Sequence, residues 1–132
     1  MWHKLLLAAI LTPVLIVGGY VGYLAATYID ETVTSGSAYG FSIGSSKQQA
    51  IEQASALRET HPNAVLYVDF GPRAGDRFTV SPTLDQIERL EPHDQWSCQL
   101  DGPKEFFNTV RLTFLDDRLV EIHRHRKYFE LP

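Results

Sequence analysis

His123 and His125 stand two residues apart near the end of the chain. On a strand, that spacing points both imidazoles to one face. With a third ligand such a pair can bind zinc. No third ligand is signalled, and Arg124, Arg126 and Lys127 surround the pair. Cations beside a cation site raise its cost, so neither a metal nor a cofactor is expected. The same run, His123-Arg124-His125-Arg126-Lys127, is the one dense basic stretch on a chain of formal net charge −4. It can attract anionic headgroups or an acidic protein surface. Cys98 is the single cysteine. A thiol beside a histidine could act as a nucleophile. Here it alternates with Trp96 and Leu100, the setting of a buried, inert thiol. Asp69 and Asp76 have no partner motif, and no HExxH, G-x-S-x-G or Gly-rich phosphate loop occurs. The reading is therefore not an enzyme, with Cys98 or the histidine pair as its centre if it were one.

The elements that must position these groups begin with Leu5–Ala26, which carries no charge. As a helix it spans roughly 33 Å, enough to cross a bilayer. The apolar region of a cleaved signal peptide is shorter, about 7–15 residues. Leucine at the −3 position of a cut after Ala26 is also unfavourable. A retained anchor is expected at 5–26, after a cytoplasmic stub at 1–4. Lys4 precedes the run, and Asp30 and Glu31 follow it. Positive charge stays cytoplasmic, so the rest of the chain should lie outside, in the periplasm for a bacterial inner membrane. Nucleic acid is then not an expected partner. Gly18, Gly22 and Ala26 recur at i, i+4 and i+8, a nearly bare helix face that lets two helices approach closely and form a homodimer.

Residues 27–44 are rich in Ser, Thr and Gly and read as a flexible tether, ordered only near Tyr39–Ile43. A domain at 45–132 follows, of a size that builds one core. Ser45 or Ser46 heads an S-x-x-Q capping box. Ala50, Ile51, Ala54 and Leu57 form a helical stripe that His61-Pro62 ends. Ala64–Phe70 and Arg77–Val80 read as a hairpin with Phe70 opposite Phe78 and Val68 opposite Val80. Ser81-Pro82-Thr83 opens a second helix capped by Thr83 and Gln86, with Leu84, Ile87 and Leu90 inward.

A three-stranded meander closes the chain. Trp96, Cys98 and Leu100 should face Val110, Asn108 and Phe106 across the Asp101–Glu105 turn. Phe114 should pair with Val120, and Leu112 with Ile122, around a three-residue loop at Asp116-Asp117-Arg118 with a bulge. The last strand runs to about Tyr128. The fold class is α+β, two helices on an antiparallel sheet of about five strands, with the second sheet face open.

The segment Ile43-Gly44-Ser45-Ser46-Lys47-Gln48-Gln49-Ala50-Ile51, opening a helix, resembles the BamE/SmpA-OmlA lipoproteins. So does the closing stretch Val110-Arg111-Leu112-Thr113-Phe114-Leu115-Asp116-Asp117-Arg118-Leu119-Val120-Glu121-Ile122. The likeness extends to the related β-lactamase-inhibitor-type fold and covers roughly residues 40–125. It implies a small envelope domain that binds proteins and catalyses nothing. The binding surface expected from the residues is the open face, Arg111, Thr113, Glu121 and His123, with Arg124 and Arg126 emerging at the strand end as a basic rim. A membrane-anchored inhibitor or immunity protein against a secreted toxin is the alternative.

Overall fold

The computed structural model describes residues 1–73, 75–100 and 108–126. They divide into two units: residues 1–28, and Ile29–Arg126. The first is one helix, α1 (Trp2–Thr27), unbroken at Pro13 and with no buried residue. It is long and apolar enough to cross a membrane. Its two threonines bond back into the helix, Thr12 Oγ1 to the Ala8 carbonyl (2.8 Å) and Thr27 Oγ1 to that of Tyr23 (2.9 Å). Neither hydroxyl is left to be satisfied by lipid, which supplies no partner. Nothing lies within 4 Å of where a Cβ would stand on Gly18 or Gly22.

The second unit runs β1 (Ile29–Val33), β2 (Ser37–Ala38), β3 (Phe41–Ser42), α2 (Lys47–Leu57), β4 (Val65–Asp69), β5 (Arg77–Val80), a 3₁₀ turn (Leu84–Gln86), α3 (Ile87–Leu90), β6 (Gln95–Gln99), β7 (Asn108–Leu115) and β8 (Arg118–Arg126). The α+β class holds. A six-stranded antiparallel sheet in the order β1-β8-β7-β6-β4-β5 carries both short helices on one face.

The sixth strand is the segment expected to be a tether. Ile29–Val33 pairs along β8 from Ile29↔Arg126 to Val33↔Ile122. Beyond it, β2 and β3 close a hairpin at Tyr39-Gly40, both at positive φ as a two-residue turn requires. Gly40 is needed there twice over: at φ +87 a side chain is strained, and a Cβ would lie 2.7 Å from Leu57 Cδ2.

Ser46, not Ser45, caps α2, completing the box with Gln49. Ala50, Ile51 and Ala54 are buried beneath it. The helix start is tied to the β7–β8 turn. Gly44 N donates to the Leu119 carbonyl and Leu119 N to that of Ser45, while Asp117 accepts from Lys47 N. The second helix is shorter than expected and lacks its capping box: Thr83 makes no side-chain cap, and Leu84 is exposed.

Both hairpin registers slide two residues from expectation. Val68 faces Phe78, and Leu66 faces Val80, leaving Phe70 exposed. Trp96 faces Leu112, and Cys98 faces Val110. The expected partner Phe106 and the Asp101–Glu105 turn lie outside the described residues, as does the strand beyond Arg126. A shift by two keeps every side chain on its face, so Leu66, Val68, Trp96 and Cys98 still enter the core. At β7–β8, Leu112 does face Ile122, but through a two-residue turn at Asp116-Asp117, both at positive φ. The bulge falls on Val120, which turns outward, while Leu119 packs in the core opposite Phe114.

Trp96 centres that core. Its ring lies 4.6 Å from that of Phe114, and Nε1 donates to the carbonyls of Leu90 (3.1 Å) and His93 (2.9 Å). The polar edge of a large buried ring is thereby satisfied.

Candidate functional site

Alternation along each strand sends one set of residues to the helices and the other to the open face. The registers align the open set in rows. One row is Thr32, His123, Arg111, Ser97, Tyr67 and Thr79. A second is Asp30, His125, Thr109, Gln99 and Val65, in which Gln99 is buried rather than open. A third begins Glu121, Thr113, Gln95. Arg111 is opposite His123 and Thr113 opposite Glu121, as the sequence leads one to expect.

The groups on this face hold one another. Asp69 takes a two-pronged bond from Arg77, at 2.6 and 3.1 Å. That bond holds the guanidinium above its ordinary pKa against its burial. The same guanidinium lies 4.3 Å from the Tyr67 ring centre, so Asp69 has a partner that no motif disclosed. His123 Nε2 meets the Asp30 carboxylate. The His123 and His125 rings stack 6.5 Å apart. Arg111 projects into solvent. The result is a mixed donor and acceptor surface on a rigid sheet, suited to polar recognition. No three His, Cys, Asp or Glu side chains cluster as metal ligands among the described residues.

Two expected rim residues are placed otherwise. Arg124 is 5% exposed. It lies on the helix side, its Nη1 donating to the carbonyls of His125 (2.9 Å) and Thr109 (3.3 Å), with the Tyr39 ring 5.6 Å from its guanidinium carbon. Cover extends this far because the β2–β3 hairpin brings Tyr39 over the strand end. Tyr39 in turn donates to Glu31, and that bond, with burial, raises the phenol's pKa. Arg126 is half-buried beside β1 rather than open at an edge. The residues that sequence reasoning missed are Asp30 and Thr32, taken as tether, and Ser97, Tyr67 and Thr79. Period-two alternation gives the last three the outward parity, but only the strand order shows that they share a row with Arg111, and Tyr67 is itself buried, with the Arg77 guanidinium against its ring.

Cys98 is on the opposite face, fully buried. Burial pushes its thiol up to about 12, against a smaller pull from Arg124. A thiol held protonated is a poor nucleophile. The native protein should therefore resist a membrane-impermeant maleimide and become labelled only on unfolding; fast native labelling would contradict this. The unfolded chain ionises near the ordinary value of 9.0 while the folded one does not. Cys98's contribution to stability is thus whole below that pH and is lost as pH rises toward 12. Cys98→Ser should flatten that alkaline decline in a denaturation series.

No family model, curated protein or solved structure matches the chain.

Proposed function

We propose that this chain is a single-pass membrane protein whose domain outside the cytoplasm binds a protein partner through the open sheet face and performs no chemistry of its own. In a Gram-negative cell the compartment is the periplasm, and the BamE-like segments favour a role in envelope assembly or maintenance. The observation that carries this reading is the open face itself. It sets exposed Arg111 amid Thr113, Glu121 and His123, polar groups fixed in rows on a sheet whose other face holds the core. Arginine amid hydrogen-bonding neighbours is a common anchor of protein interfaces.

The test is a photo-crosslinking amino acid placed at Arg111 or Thr113 in the full-length protein, in cells, with Glu59 as the comparison position. Adducts from the first two and not the third are expected. Equal adducts from Glu59, or none from the sheet, would refute the surface. A captured toxin would assign the role to immunity, and a resident envelope protein would assign it to assembly.

Self-association through α1 belongs to the same reading. The open space beside Gly18 and Gly22, continued by exposed Ala26, suits a close helix pair. Gly22→Leu should lower a membrane two-hybrid signal at least several-fold. An undiminished signal would make the glycines incidental.

A further inference from the structure

Leu84, Ile87 and Leu90 share a helical spacing, yet Leu84 is 45% exposed. Two residues earlier Pro82 is fully buried, as is Ile51 on α2. Between α2 and the segment that opens the 3₁₀ turn lies a groove of about 340 Å³, lined by Ile51, Glu52, Ser55, Pro82, Thr83 and Leu84. That volume is at the lower end of pockets that enclose small ligands, about 300–1,000 Å³. Glu52, Ser55, Thr83 and Leu84 are all exposed, so the groove is an open-topped trough. Ile51 and Pro82 give it an apolar floor and Leu84 an apolar wall, a seat for one bulky side chain of a docking segment.

The charged groups at the trough are acidic. Glu52 belongs to its lining. Asp85 follows Leu84, and its carboxylate accepts from the hydroxyl of Thr83, another lining residue, and from Gln86 Nε2 at 3.1 Å. Those bonds hold the Asp85 carboxyl below its ordinary pKa. The cations on the same elements are directed elsewhere. Lys47 opens α2, but its ammonium is buried against the Glu91 carbonyl and Asp94. The Arg89 guanidinium carbon is 4.7 Å from the Phe78 ring centre. Arg58 stands past the end of α2, about 9 Å of helix rise beyond Glu52. Carboxylates beside an apolar trough complement a segment with an aliphatic or aromatic side chain next to Lys or Arg. They repel an acidic segment of the same shape.

We propose that the trough between α2 and the 3₁₀ turn is a second docking site, where a basic–apolar peptide segment of a protein partner seats its apolar side chain on Ile51, Pro82 and Leu84 and sets its cation against Glu52 and Asp85. The site is independent of the Arg111 face and of the reading of α1 as a membrane span. The apolar anchor supplies the affinity, and the rim carboxylates select the sign of the partner and speed its arrival.

The experiment pans a random heptapeptide display library on the full chain, held in nanodiscs of net-neutral phosphatidylcholine. Enriched peptides should place a Leu, Ile, Phe or Trp within two positions of a Lys or Arg. Synthesised free, the strongest should bind at least tenfold more weakly to Glu52→Lys and Leu84→Glu, and severalfold more weakly to Glu52→Gln. Ser55→Phe, which fills the trough without changing its charge, should lose binding too, whereas Arg111→Ala should keep it. Binding should also weaken in 1 M salt, where screening contracts to about 3 Å. Tryptophan fluorescence in urea checks that each variant is folded; Glu52→Gln, at an exposed position, serves if a bulkier or charge-reversed variant is not. Enrichment of no peptide, or of acidic or uncharged ones, would overturn the site. So would undiminished binding to folded Glu52→Gln or Ser55→Phe. Self-association of the full chain that Leu84→Glu abolishes and Gly22→Leu does not would put a second copy in the trough and overturn the basic segment as its occupant.

Discussion

Arg124→Glu is expected to unfold residues 29–126 rather than to weaken binding. Arg124 is buried, donates to two main-chain carbonyls, lies against the Tyr39 ring and stands between Glu31 on β1 and Val110 on β7. The substitution removes both donors and sets a second carboxylate opposite Glu31. A charge left buried without a partner costs about 3–5 kcal/mol. Domains of this size have about 5–15 kcal/mol in total. A large drop in the urea midpoint, read by tryptophan fluorescence, is the expected result. Arg124→Met keeps much of the volume and buries no carboxylate, so it should cost less, about 1–3 kcal/mol. An unchanged midpoint in Arg124→Glu would put the side chain in solvent.

That outcome turns on what a sequence can and cannot disclose about a sheet. Alternation fixes which face a residue takes, and it gives Arg124 the parity of Ile122. What it does not carry is how far cover extends. Tyr39, which covers Arg124, belongs to the short hairpin Ser37-Ala38-Tyr39-Gly40-Phe41-Ser42, which has no sustained period. Registers fail for a related reason. A slip of two residues preserves every face, so hydrophobic pattern does not separate Val68↔Phe78 from Val68 opposite Val80. Turn geometry decides instead, as where Asp116 and Asp117 at positive φ choose the two-residue loop and push the bulge onto Val120.

Strand β1 shows the sharpest limit. Ile-Asp-Glu-Thr-Val is short and mostly exposed, and its partner strand lies at the other end of the chain. No local signal marks it as a strand. The one trace is complementarity, two acids after α1 against the basic run His123–Lys127. The open face was legible at Arg111, Thr113, Glu121 and His123, because these lie on adjacent strands of one meander. Its extension to Tyr67 and Thr79 required the β6–β4 pairing, made across an intervening helix.

Lys47→Ala is the second large expected effect, and its size comes from geometry that runs against local preference. Lys47 is the first residue of α2, where a cation opposes the helix dipole. It is nevertheless 6% exposed. Its ammonium donates to the Glu91 carbonyl at 2.6 Å and to Asp94 at 2.9 Å, and lies 5.8 Å from the centre of the Phe114 ring. Phe114 N in turn donates to the Asp94 carbonyl at 2.7 Å. One side chain thus ties the start of α2 to the end of α3 and the entry of β6. Truncation leaves a void and an unpaired carbonyl, together about 2–4 kcal/mol. Lys47→Met fills the void and should cost about half as much. Asp94→Ala should cost under about 1 kcal/mol, because its carboxylate is 71% exposed and solvent screens the pair. The order of the three is the test. A loss from Asp94→Ala equal to that from Lys47→Ala would mean the ion pair, not the buried bond to Glu91, holds the joint. A loss from Lys47→Ala below 1 kcal/mol would mean the helix start is held by Ser46, Asp117 and the Gly44–Leu119 bonds alone.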